Sequence, residues 1–130
     1  MRRKHAVLGD ALRAAIMRIR QLDRDKKVQF IILYGSAASG GFGKTSDIDL
    51  AVGYAGSARE RFEFRKRVLG ELGEKFDVQI FQDLPVYVRM QVLKGRVLYM
   101  KDARQLHDIA YDTIKEFGLF KRRFLDYIRR

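Results

Sequence analysis

Cysteine is absent from the 130 residues, and histidine occurs only twice, as His5 and His107. The first absence removes disulfides, thiolate nucleophiles and every Cys-based zinc site. The second leaves too few imidazoles for a His-rich metal centre, so both histidines are assigned surface or structural roles. Long apolar runs are missing too. The longest candidate, Val28–Tyr34, falls far short of the about 20 residues that a membrane-spanning helix needs, and it has the length of a strand. The opening MRRKHAVLGD is basic but lacks the apolar core of a secretory signal. These absences predict a soluble, cytoplasmic protein with no membrane contact.

What is present is enough for a core. Hydrophobic residues make up 47% of the chain and aromatics 12%, which excludes disorder as the main state and suits a single domain. The formal charge of +11 is unevenly placed. Residues 1–27 hold nine Lys and Arg against three Asp, and residues 115–130 hold six against two acids. Basic ends fit an acidic partner, either a protein face or nucleic acid; they also fit a solvated surface that keeps a small protein soluble.

Hydrophobic spacing sets out the elements. Leu8, Leu12, Ala15, Ile19 and Leu22 recur at helical intervals, predicting an amphipathic helix over about 5–24. Val28–Tyr34 is β-branched and aromatic, a buried strand. A Gly- and Ser-rich loop, 35–46, leads into Asp47–Val52, which alternates with period two. Ser57 reads as the N-cap of a helix with Phe62, Leu69 and Leu72 on its inner side. Phe76–Phe81 alternates again. Pro85 opens a helix through Lys94, Gly95 stops it, and Arg96–Met100 suits an edge strand. A terminal helix runs from Leu106 to Ile128. The order α-β-β-α-β-α-β-α predicts an α/β (α+β) domain, a mixed sheet of about four strands with flanking helices.

Ala38–Thr45 superficially resembles a phosphate-binding P-loop, G-x-x-x-x-G-K-[ST]. Two features reject it. Ala38 stands where the first glycine belongs, and Lys44-Thr45-Ser46 leads into a strand, whereas a P-loop must open a helix whose N-terminus faces the phosphate. The chemistry lies in the aspartates. Asp47 and Asp49, one residue apart on a strand, point to the same face while Ile48 and Leu50 point into the core. Side-by-side carboxylates repel and lose solvation, and a divalent cation removes that cost. Asp77 sits on another strand with apolar neighbours; if the strands are adjacent it completes a three-carboxylate site able to hold two Mg²⁺. Gly35 and Ser36 end the strand before the loop, where glycine lets a ligand approach the backbone and Ser36 can offer an amide and a hydroxyl to phosphate.

Gly35-Ser36, ten intervening residues and Asp47-Ile48-Asp49 form the pattern G-S-x10-D-x-D. With Phe76-Asp77-Val78, Leu84-Pro85 and Gly95-Arg-Val-Leu-Tyr99, this resembles a minimal nucleotidyltransferase (MNT) domain of the superfamily that includes the polymerase-β palm. The resemblance covers about 28–100, with 1–27 as an N-terminal helix and 101–130 as a C-terminal helix open to partner docking, all in one domain, 1–130. It implies a polymerase-β-palm-like fold and a Mg²⁺-dependent transfer from ATP. Asp47, Asp49 and Asp77 are then the catalytic and metal-binding residues, and Gly35 and Ser36 hold the triphosphate. The first two aspartates position the α-phosphate; the third helps deprotonate the attacking hydroxyl.

One departure stands out. Where MNT domains often carry G-S-x-x-R-G, this chain has Ser39 in the arginine's place, and losing that cation weakens triphosphate binding by about 1–3 kcal/mol. Lys44, or a partner's arginine, is the substitute to consider. Proteins of this kind are commonly encoded beside HEPN-type toxin ribonucleases and act as their antitoxins, transferring AMP to a toxin tyrosine. The resemblance therefore implies a hetero-oligomer with such a toxin. The alternatives are a non-catalytic antitoxin that inhibits by contact, or nucleotidyl transfer to RNA or a small molecule. In the terminal helix Tyr111, Phe117, Phe120, Phe124 and Tyr127 lie among Lys and Arg. They form either a docking face or a core-packing stripe, and the second is the expectation.

Overall fold

The structure is a computed structural model that describes residues 2–35, 38 and 47–129, with side chains from residue 8 onward. Ser36, Ser39 and Lys44 therefore lie outside the described residues, as does the rest of the loop up to Ser46. Among the described residues no helix is long and apolar enough to cross a membrane.

Helix α1 (Arg2–Leu22) turns Leu12, Ala15 and Ile19 inward at helical spacing. The Asp23 carboxylate then accepts the N–H groups of Lys27 and Val28, each at 2.8 Å, and closes the turn into β1 (Val28–Tyr34). After the loop come β2 (Ile48–Tyr54), α2 (Ala58–Leu72), β3 (Phe76–Ile80), a 3-10 turn (Phe81–Asp83), α3 (Val86–Leu93), β4 (Arg96–Met100) and α4 (Ala103–Arg129). The sheet order is β3-β2-β1-β4. β1 is antiparallel to β2 and β4, whereas β2 and β3 are parallel, with α2 as the crossover between them. Ser57 starts α2 with a capping box: its side chain accepts the Glu60 N–H at 3.2 Å while Glu60 Oε1 accepts the Ser57 N–H at 3.0 Å.

Strand alternation splits the sheet into two faces. Ile31, Leu33, Leu50, Val52, Val78 and Ile80 pack under α1 and α2, against Ile19, Phe64 and Val68. The opposite face buries Phe30, Ile32, Ala51 and Phe81 beneath α3 and the first turns of α4. A bulge between Val28 and Phe30 switches the alternation, so that Val28 belongs to the first core and Phe30 to the second.

Several sequence expectations need correction. Phe62 is 60% exposed; Phe64 is the buried aromatic of α2, stacked on Tyr54 with ring centroids 4.4 Å apart. Phe81 lies in the 3-10 turn rather than in β3, Asp47 precedes β2, and Pro85 is the N-cap of α3 rather than its first residue. The aromatics of α4 do not pack onto the sheet: Tyr111, Phe120, Phe124 and Tyr127 are exposed, the last by 77%. Among the aromatics of α4, Phe117 is half-buried.

Candidate active site

Three residues form a row across the sheet at the open end of its second face. Tyr34, the last residue of β1, pairs in register with Asp49 on β2, and Asp49 pairs with Asp77 on β3. Cross-strand partners in register project to the same face, with strands about 4.8 Å apart, so the phenol and both carboxylates are neighbours. Apolar residues alternate with each aspartate and anchor the strands from below: Ile48 and Leu50 beside Asp49, Val78 beside Asp77. That alternation is why the sheet can hold half-buried carboxylates without losing its core.

The electrostatics follow from this crowding. Burial pushes the Asp49 carboxyl above its ordinary range, and Asp77 and then Asp47 push it the same way. Burial, followed by the same two-carboxylate field of Asp49 and Asp77, raises the Tyr34 phenol to about 12 and keeps it neutral. The side-chain amide of Gln79 donates to Asp77 Oδ1 at 3.0 Å, which sets that carboxylate's rotation and leaves Oδ2 uncommitted in this bond. Sequence reasoning passed over Gln79, although its two-residue spacing from Asp77 on a strand put it on the same face.

Gly35 abuts the row. Its φ of 74° is in the left-handed region, and a Cβ there would overlap Asp49 Oδ2 and lie 3.3 Å from Asp49 Cγ. The glycine is thus required both by the turn and by the space its neighbour occupies. On the other side of Gly35 opens a cleft of about 510 Å³, lined by Tyr34, Gly35, Gln91, Lys94, Gly95 and Arg96. Lys94 and Arg96 were not singled out from the sequence; the α3–β4 junction brings them here. His107 is exposed and lies in a different, apolar groove.

The three predicted carboxylates are not equally placed. Asp49 and Asp77 are side by side, while Asp47 stands exposed at the entrance to β2. Among the described residues no set of three or more His, Asp or Glu side chains converges closely enough to hold a metal ion unaided. The donors still fit Mg²⁺. It binds few carboxylates and completes its shell with water and phosphate oxygens, and the raised Asp49 is the strain that a cation relieves.

Relatives agree with this geometry. The family model described as Polymerase beta, Nucleotidyltransferase matches residues 18–104, which includes β1 to β4 and the whole carboxylate row. A protein of Methanocaldococcus jannaschii, named "Putative protein adenylyltransferase MJ1547", is 36% identical over 85 residues, 65% of this chain and 66% of that relative. The fold is shared with solved structures. One is a toxin-antitoxin with AMP-PNP, whose matched chain has a TM-score of 0.65 at 24% identity and covers 86% of this chain and 96% of its own. Another is the tri-AMPylated Shewanella oneidensis HEPN toxin in complex with MNT antitoxin, with a TM-score of 0.60 at 21% identity over 91% and 98%. The chain belongs to the polymerase-β nucleotidyltransferase family and has its minimal, MNT-type fold.

Proposed function

We propose that this protein transfers AMP from ATP to a tyrosine hydroxyl of a HEPN-type toxin ribonuclease and acts as that toxin's antitoxin in a cytoplasmic hetero-oligomer. The observation that carries the reading is the Asp49–Asp77 pair, aligned on adjacent strands beside Gly35. The similarity to a protein named as an adenylyltransferase supports the protein acceptor. The shared fold with a tri-AMPylated HEPN toxin–MNT antitoxin complex supports the partner.

In this reading Asp47, Asp49 and Asp77 hold two Mg²⁺ ions. Bound there, they supply charge neutralisation at the α-phosphate and in-line alignment of the attacking and leaving oxygens. Gly35 and Ser36, with Lys44, retain the triphosphate tail. Gln79 holds Asp77 by Oδ1, and Asp77 Oδ2 takes the proton of the attacking hydroxyl. The hydroxyl oxygen bonds to the α-phosphorus, the bond to the β-phosphate oxygen breaks, and pyrophosphate leaves with that electron pair. The domain reading is one unit over 1–130, with 28–100 as catalytic core and 101–130 as docking helix.

A second reading, inhibition by contact alone, draws on the exposed aromatic face of α4. The two separate cleanly. The protein is incubated with Mg²⁺, α-labelled ATP and its HEPN-type partner, and the partner is weighed by mass spectrometry. A gain of one or more AMP units, absent with Asp47→Asn, establishes transfer. A stable complex with no gain establishes the contact mechanism, as does neutralisation by Asp47→Asn equal to wild type.

A further inference from the structure

We infer that the acceptor chain reaches the site across the free edge of β3, and that Arg65 on α2 holds it by pairing with a carboxylate close to the tyrosine that receives AMP. The inference deepens the transferase reading and rests on it. The row across the sheet has a direction. Gly35, at the β1 end, retains the triphosphate in that reading, and Asp77 stands at the β3 end. In-line displacement puts the attacking and leaving oxygens on opposite sides of the α-phosphorus. With pyrophosphate leaving towards β1, the hydroxyl comes in from β3, the outermost strand of the sheet.

A cation is fixed at that edge. Carbonyl directions alternate along a strand, and Lys75 O accepts the Ile48 N–H from β2, so Val78 O faces outward. Arg65 reaches it from α2, its Nε–H donating to Val78 O at 2.7 Å. The bond holds a guanidinium beside Val78, one residue or about 3.3 Å of rise past Asp77. It also occupies the central outward carbonyl of β3, so the acceptor is received by a side chain rather than as an added strand. Among the described residues the two Nη groups make no hydrogen bond and no ion pair. Arg61, one turn earlier on α2, is the contrast: Asp83 at 2.9 Å and the Gly56 carbonyl at 2.8 Å close it. Arg65 is half-buried, so its charge has lost part of its hydration without gaining a counter-ion in this chain. A carboxylate matches the fork that both Nη groups offer. A segment that brings a tyrosine hydroxyl to Asp77 carries its neighbouring side chains past Arg65, so that carboxylate belongs to the acceptor chain.

The test is steady-state transfer from α-labelled Mg·ATP to the proposed HEPN-type partner by the full chain, for wild type, Arg65→Gln and Arg65→Glu. Arg65→Gln is expected to raise KM for the partner roughly tenfold, and Arg65→Glu further, while kcat and Mg·ATP affinity stay within about twofold of wild type. In a second arm, each Asp or Glu within three positions of the modified tyrosine is replaced in turn by Lys. One such partner should be a poor acceptor for the wild type and regain transfer with Arg65→Glu, an exchange that a purely structural arginine would not produce. A fall in kcat or melting temperature with KM unchanged would give Arg65 a structural role and overturn the inference. Unaltered kinetics in Arg65→Gln, or the absence of any partner variant rescued by Arg65→Glu, would also overturn it and leave the transferase reading standing. AMP found on RNA instead of on the partner protein would remove the protein acceptor and this inference with it. A wild-type chain that transfers no AMP would overturn the inference and the transferase reading together.

Discussion

Gly35 and Asp49 occupy one space: where a side chain on Gly35 would begin, the Asp49 carboxylate already stands, with Cγ 3.3 Å from the missing Cβ. The two ends of the G-S-x10-D-x-D pattern are thus in direct contact, although fourteen positions separate them in the chain. Glycine is required here for reasons that a turn alone would not impose.

Gly35→Ala tests this coupling. An alanine at φ 74° costs about 1–2 kcal/mol in backbone strain, and its methyl must also push Asp49 aside. In the transferase reading proposed above, displacing that carboxylate is expected to lower AMP transfer by about 100-fold or more. The melting temperature should fall by only a few degrees. Transfer rate and thermal unfolding measured on the same preparation check both, and wild-type activity in a folded variant would show that Asp49 can move freely.

Asp49→Asn should reduce transfer to background and at the same time stabilise the free protein at neutral pH. Burial raises the Asp49 carboxyl above its ordinary 3.8, with Asp77 and Asp47 adding to the rise. A carboxyl with a raised folded-state value binds more protons folded than unfolded, so stability falls as pH climbs through that window. The sign is the reverse of an ion-paired aspartate. The wild type and the Asn variant should be equally stable below about pH 3, and the variant should pull ahead as pH rises above 3.8. Urea unfolding across pH 3–7, without Mg²⁺, measures the gap; a variant that is less stable at pH 7 would mean Asp49 makes favourable interactions in the free protein.

The N-terminus of α2 supplies a pH response of ordinary sign. Glu60 is held down to about 2, chiefly by its hydrogen bond to Lys27 and then by the Ser57 backbone and side chain. Its contribution is present above the unfolded value of 4.5 and is lost as pH falls from there towards 2. Glu60→Gln should flatten the acid limb of the stability profile in that window and leave the Asp49 effect untouched. Ser57→Ala removes the cap and is expected to cost about 1 kcal/mol at neutral pH. Chemical denaturation at pH 2.5, 4.5 and 7 separates the two variants.

Local rules carried most of the fold. The strands Val28–Tyr34 and Arg96–Met100 and the Ser57 cap are where spacing and capping chemistry placed them, because each is decided within a few residues. Asp49 and Asp77 were recognisable as residues that the core alternation could not use. Their adjacency was an expectation that only the parallel β2–β3 pairing meets. What the sequence concealed is set at long range. Lys94 and Arg96 flank a glycine like any other until β4 folds back along β1. Phe64 displaced Phe62 from the core because the phase of α2 is chosen by what it packs on, here Tyr54. The aromatics of α4 misled for a related reason: their spacing is that of a buried stripe, and periodicity does not say whether the surface that buries it belongs to the same chain.

That last point makes α4 the place to test partner capture. Phe120 and Phe124 are 48% and 54% exposed, their rings stacked 6.4 Å apart on one side of the helix, with Phe117 6.4 Å beyond Phe120. Exposed aromatics in a row, with Lys121, Arg122 and Arg123 between them, have the composition of a protein-binding surface. Removing one anchor ring from such a surface typically costs about 2 kcal/mol, or roughly 30-fold in affinity. Phe120→Asp and Phe124→Asp should each weaken binding to the proposed HEPN-type partner by at least about that factor, with the melting temperature unchanged because neither ring is buried in this chain. Transfer to the toxin should fall in step, while Mg·ATP binding stays at the wild-type level. Unaltered partner affinity in both variants would move the docking surface elsewhere on the protein, and a loss of stability would return these rings to a structural role.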